Sequence, residues 1–235
     1  MPKKQTFQLL IFPRWKGFFI FVFIFLSIPN ASSLTSKSYS IKWKVVLGVS
    51  RLGKPSRENI MGLLIKLSGI KRHSLANGPG VRYVIFMQGC PHHCKGCQNP
   101  ETWDPKAGQM EDTDCVVSDV IADKYLDGVT LSGGDPFFQG AALLDLARRL
   151  KEAKINLWAY SGWTFEELLR GDAGKEALEA LSYIDVLVDG PFVQEKLSTE
   201  CIYRGSTNQR LIDLKKSLAE KKAVEVDKKT LDFGL

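Results

Sequence analysis

Three thiols fall within eight residues of this chain, in the run Cys90-Pro-His-His-Cys94-Lys-Gly-Cys97. The spacing is CX3CX2C, and the thiolate is the form of cysteine that binds metal. A structural zinc normally takes four protein ligands, often as two separated pairs. No second CxxC pair is present, although His92, His93, Cys115 or Cys201 could complete a set of four. A redox dithiol at Cys94 and Cys97 fits poorly with a third thiol so close by. The spacing suits a [4Fe-4S] cluster best, since thiolates are its usual ligands. Three ligands leave one iron without a protein donor, and an open position is what a reactive metal centre needs. The five cysteines are odd in number and clustered. A disulfide framework would pair them and spread them out, so the thiols point to a reducing compartment, the cytoplasm.

The elements around the cluster motif are those of an α/β protein. Arg82 to Met87 (RYVIFM) is β-branched and aromatic and predicts a buried strand running straight into the cysteines. Residues 88–112 are rich in Cys, His, Gly, Pro and Asn without a period, and a loop beyond about 12–15 residues in a compact domain is usually functional. Asp114 is placed to cap a helix through about Tyr125. Gly128 to Ser132 predicts a strand ending in Gly133-Gly134-Asp135-Pro136, followed by a helix from Ala141 to Lys154. That helix turns Leu143, Leu144, Ala147 and Leu150 to one face and Arg148, Arg149, Lys151 and Glu152 away. A strand from Ile155 to Tyr160, a helix capped by Thr164 with Glu167 three residues on, a helical stretch from Gly174 to Leu181, and a strand from Ile184 to Asp189 complete the series. Strands alternating with helices imply βα units and mostly parallel pairing. Four or five strands are too few to close an eight-stranded barrel. The expectation is therefore a partial, open β/α barrel with its site at the C-terminal strand ends.

The chain has 235 residues, 44% hydrophobic and 25% charged, the balance of a folded globular protein and not of a disordered or collagenous one. Its net charge of +6 is unevenly held. Residues 1–60 carry ten Lys and Arg against the single acid Glu58, a net +9, while the rest holds 22 bases and 25 acids, a net −3. The body therefore has no general attraction to nucleic acid. Gly17 to Leu26 is an unbroken apolar run, preceded by bases and followed by small residues, and residues 17–33 have the layout of a secretory signal. It is shorter than the roughly 20 residues of a spanning helix. Export would expose clustered thiols to oxidation, so residues 1–60 are read as a basic, hydrophobic extension, signal-like or upstream of the natural start at Met61. Residues 61–214 form the functional domain, with no membrane role for 61–235, and 215–235 a charged tail.

CX3CX2C after one strand and Gly133-Gly134-Asp135-Pro136 after the next resemble the radical S-adenosylmethionine (radical SAM) superfamily. GCPHHCKGCQNPETWDP (89–105), TLSGGDP (130–136), VLVDGPFVQ (186–194), YRGSTNQR (203–210) and NGPGVR (77–82) together resemble the activating proteins of anaerobic ribonucleoside-triphosphate reductases, which are glycyl-radical activases. The resemblance covers about Met61 to Ile212. It implies an oxidoreductase in which Cys90, Cys94 and Cys97 ligate a [4Fe-4S] cluster whose open iron takes SAM. Gly96, Cys97 and Gln98 would border the SAM, and Gly133 and Gly134 would contact its methionine end. The implied partners are the anaerobic reductase as protein substrate and a flavodoxin- or ferredoxin-type reductant. No catalytic residue is implied beyond the cluster and SAM.

Other residues carry weaker expectations. His92 and His93 could tune the cluster through its sulfurs or be ordinary loop polarity. Trp103 would pack the loop, Cys115 would be inert, and Asp135 would cap a turn. Asp189 is a candidate ribose contact. Asn208 could line the open end of the sheet, and Arg210 is a candidate for the SAM carboxylate or the partner's surface. The rival readings are a pyruvate formate-lyase-type activase, the synthase that forms a 7-deazaguanine ring, and a non-enzymatic zinc-binding module.

Overall fold

The computed structural model describes residues 62–227 and, before them, three short strands. The chain divides into two units, Met1–Ile60 and Met61–Leu235. In the first, β1 (Phe7–Ile11), β2 (Phe21–Phe25) and β3 (Val45–Gly48) pair antiparallel in the order β1-β2-β3. β2 falls within the signal-like run and β3 within the rest of the expected extension. The rest of both, and the expected start at Met61, lie outside the described residues.

The second unit is built on one seven-stranded sheet. Its strands are β4 (Leu64–Ser74), β5 (Arg82–Met87), β6 (Gln109–Asp112), β7 (Gly128–Gly133), β8 (Leu157–Tyr160), β9 (Val186–Asp189) and β10 (Arg210–Asp213). The order is β10-β9-β8-β7-β5-β4-β6. The centre, β5-β7-β8-β9, is parallel, while β4, β6 and β10 pair antiparallel at the flanks. An open α/β sheet with a parallel core is thus the fold. Three of its strands differ from the expectation. β4 and β10 were not anticipated, and residues 109–112, expected to be loop, form the edge strand β6.

The helices are α1 (Thr113–Ala122), α2 (Gly140–Glu152), α3 (Phe165–Arg170), α4 (Lys175–Ala180) and α5 (Leu214–Glu220). The cap of α1 is Asp112 and not Asp114, because β6 delivers the chain two residues earlier and the Asp112 carboxylate accepts the Asp114 N–H at 2.8 Å. The capping box at α3 forms in both directions between Thr164 and Glu167.

Alternation along the strands sorts the two faces of the sheet. Tyr83, Ile85 and Met87 of β5, Val129 and Leu131 of β7, Leu157 and Ala159 of β8, and Leu187 of β9 join one buried core with Leu143, Leu146, Ala147 and Leu150 of α2. The intervening residues carry a smaller cluster, in which Trp158, Val188 and Leu211 pack with Tyr160 and Tyr203. The helices cover the first face, so the second face and the C-terminal strand ends are left for the site.

Candidate metal and cofactor site

All four parallel strands feed one cavity of about 460 Å³ from their C-terminal ends. β5 leads into Cys90, His92, Cys94, Cys97, Gln98 and Trp103. β7 supplies Ser132, Gly133 and Gly134, β8 supplies Tyr160, Ser161 and Gly162, and the connection after β9 brings Gly190, Phe192, Cys201, Tyr203, Arg204 and Gln209. Six of the seven residues expected to hold cluster and SAM therefore line one space. Gly96 does not. Its φ of +75° makes the turn in which the Cys97 N–H bonds the Cys94 carbonyl at 3.1 Å, and it faces the Gln194 side chain.

The cysteine loop is held by the protein itself. The Gly89 N–H donates to the Thr102 carbonyl (2.7 Å) and the Cys90 N–H to the Trp103 carbonyl (3.2 Å). The Gln88 amide donates to the carbonyls of Glu101 and Asp104. The neighbouring strand end is stitched to it, the Gly134 N–H to the Met87 carbonyl at 2.8 Å and the Asp135 N–H to the Gly89 carbonyl at 2.9 Å. This close approach explains the glycine pair. A Cβ on Gly134 would stand 2.2 Å from the Gly89 oxygen, and one on Gly133, whose φ is +99°, 2.5 Å from backbone atoms of Met87.

Asp135 is fully buried and accepts four hydrogen bonds. Oδ1 takes the Phe137 N–H, which caps the turn that follows, while Oδ2 takes the Ser161 hydroxyl and the Gly162 N–H, both at 2.9 Å, and lies 2.8 Å from His92 Nε2. His92 also packs edge-on against Trp163. Its ring nitrogen is thus engaged with a carboxylate, and the histidine fixes the loop between the first two thiols.

Cys90, Cys94 and Cys97 are free thiols. Burial is the main cause that raises the Cys90 and Cys94 thiols above their ordinary range. Among the described residues no three His, Cys, Asp or Glu are gathered closely enough to hold a single metal ion. Thiolates are the usual ligands of iron–sulfur clusters. Three thiols opening on one cavity fit that group.

Two further expectations change. Asp189 and Arg210 do not line the cavity. Antiparallel pairing sets them opposite each other, and the guanidinium grips Asp189 from Nε (3.0 Å) and Nη2 while also bonding Glu166. Asp189 also accepts the Phe165 N–H at 2.7 Å. Asn208 donates to the Pro191 carbonyl. Among the lining residues not foreseen are Tyr160, Ser161, Gly162, Gly190, Phe192, Arg204 and Gln209, and Cys201 lines the same cavity. The signal for several of them was their place just after a parallel strand.

A parallel α/β core with a three-thiol loop at its strand ends defines an enzyme of the radical SAM type, organised round a single iron–sulfur cluster. The model of the "4Fe-4S single cluster domain" family matches residues 76–212. Anaerobic ribonucleoside-triphosphate reductase-activating proteins are similar over almost their whole length. That of Vibrio cholerae is 40% identical over 143 residues, 57% of this chain and 89% of the relative. That of Enterobacteria phage T4 is 36% identical over 57% and 85%, and that of Escherichia coli 34% over 57% and 90%. This chain belongs to the family of anaerobic ribonucleoside-triphosphate reductase-activating proteins. Among solved structures, the crystal structure of QueE from Escherichia coli is a distant likeness, with a TM-score of 0.39 and 17% identity over 54% of this chain and 70% of that one.

Proposed function

We propose that this chain activates an anaerobic ribonucleoside-triphosphate reductase by placing a radical on a glycine of that partner. The observation that carries the reading is the convergence of Cys90, Cys94 and Cys97 on one cavity with Gln98, Gly133 and Gly134. The three thiols lose their protons to become cluster ligands. Gln98, Gly133 and Gly134 border the SAM, and Gly96 shapes the turn that presents Cys97. The Asp135–His92 pair fixes the loop between the thiols. A bound [4Fe-4S] cluster, reduced by a flavodoxin- or ferredoxin-type protein, would supply the one-electron chemistry that cleaves SAM and so removes a hydrogen atom from a glycine Cα of the reductase. The protein's part is binding, orientation and shelter.

The activity is assigned to residues 61–214 in a reducing, cytoplasmic setting. Among the described residues no helix is long and apolar enough to cross a membrane. The test is anaerobic reconstitution with iron and sulfide, then addition of SAM, a reductant and the reductase. The expected products are 5′-deoxyadenosine and a glycine-centred radical signal. Deoxyadenosine without the protein radical would discard this partner in favour of another glycyl-radical enzyme. Zinc in place of iron would discard the reading altogether.

A further inference from the structure

The YRGSTNQR stretch contains two arginines, and the structure gives them opposite roles. Arg210 is spent on Asp189 and Glu166. Arg204 lines the cavity and is the only Lys or Arg among its described lining residues, none of which is Asp or Glu. Its Nη1 donates to the Gln209 carbonyl at 2.7 Å, while its Nε is buried with no hydrogen-bond partner. A buried guanidinium N–H left unmet costs free energy, and the group that matches this fork is a planar anion such as a carboxylate.

The surroundings hold Arg204 in place. The Gln209 side chain accepts the N–H groups of Gly205 and Ser206 and donates to the Gly190 carbonyl, tying the loop to the end of β9. Tyr203, just before Arg204, has a φ of +56°, a strained value for a side-chain-bearing residue. It is kept there by the Tyr160 hydroxyl, which donates to its carbonyl at 2.9 Å, and by edge contact with Trp158. Strained backbone clamped from two sides presents the arginine to the cavity that Cys90, Cys94 and Cys97 also line.

We infer that Arg204 receives the carboxylate at the amino-acid end of SAM. The assignment rests on the function proposed above, in which that carboxylate is the anion entering the cavity. A carboxylate of the protein partner has the same chemistry, so the binding test leaves the reductase out.

The full chain is reconstituted anaerobically and reduced, and SAM or decarboxylated SAM is titrated while the electron paramagnetic resonance signal of the cluster is followed. Arg204→Gln weakens SAM about 10- to 100-fold, and leaves decarboxylated SAM unchanged within about twofold, because the group that Arg204 meets is already missing from that ligand. Arg204→Lys keeps a charged donor near the Gln209 carbonyl and recovers part of the loss, and it carries the same comparison should the Gln variant lose the loop. Equal weakening of both ligands, or of neither, overturns the assignment while the proposed function stands. If the unaltered chain holds its cluster yet binds no SAM, the function falls and the assignment with it.

Discussion

The two ends of the same parallel sheet each carry an arginine, and the contrast separates architecture from chemistry. At the N-terminal end, Arg82 is 1% exposed and every nitrogen of its guanidinium is used. Nε donates to Thr130 Oγ1 (3.0 Å), Nη1 to Asn156 Oδ1 (2.8 Å) and Nη2 to the Val129 carbonyl, and the group lies 5.7 Å from the centre of the Trp158 ring. Burial lowers its pKa to about 10, which still leaves it charged at neutral pH. At the C-terminal end, Arg204 and Trp103 keep unmet buried donors. A polar group whose valences are filled by its own chain is holding the fold together. One whose valences are left over faces a ligand.

The comparison yields four measurements. The largest effect belongs to the ligand end. Replacing Cys90, Cys94 or Cys97 by Ala removes cluster binding, and iron analysis with a deoxyadenosine assay should fall to background, while far-ultraviolet circular dichroism stays that of the folded chain. At the opposite end, Arg82→Met strands the Asn156 and Val129 acceptors and costs about 3 kcal/mol of stability. Urea unfolding should register it, with the cluster's resonance signal unmoved in the folded fraction. An altered signal would erase the division between the ends.

Asp135→Asn belongs to both categories. It puts an amide against donors and costs about 2 kcal/mol, and it also frees His92, so a changed cluster signal is expected alongside the lower unfolding midpoint. The smallest effect is at Glu166. The Arg210 hydrogen bond holds its carboxyl below the ordinary range. A carboxylate with a depressed folded value stabilises the chain above the unfolded pKa, and the gain is lost as pH falls through the folded one. Glu166 is half exposed and screened, so the gap between the unaltered chain and Glu166→Gln should be no more than about 1 kcal/mol at pH 7. It should close as the pH falls below the ordinary glutamate range in urea titrations of cluster-free protein.

What the sequence disclosed follows from how local each signal is. RYVIFM is a strand with the expected bounds because five consecutive apolar and aromatic residues, four of them buried, need no partner to be recognised. The Thr164–Glu167 box is likewise complete within four residues. The cysteine spacing announced its chemistry for the same reason. β6, with three of its four residues exposed, has no alternation to read and exists because β4 offers it an edge. Asp189 and Arg210 were sensible cavity candidates at strand ends, but pairing across β9 and β10 makes them each other's partner. Arg204 and Gln209 reach the cavity only because that same hairpin folds the intervening loop over it. Register and loop return are long-range properties, and a linear pattern does not hold them.

The stitching of the cysteine loop to itself and to the end of β7 bears on the order in which the enzyme is made. The bonds from Gly89, Cys90, Gly134 and Asp135 are all peptide to peptide and owe nothing to iron. Zinc fingers collapse when stripped because metal supplies their folding free energy. Here the chain's own peptide groups hold the loop, so cluster-free protein should keep its fold, and iron and sulfide added to the folded chain should rebuild a centre destroyed by oxygen.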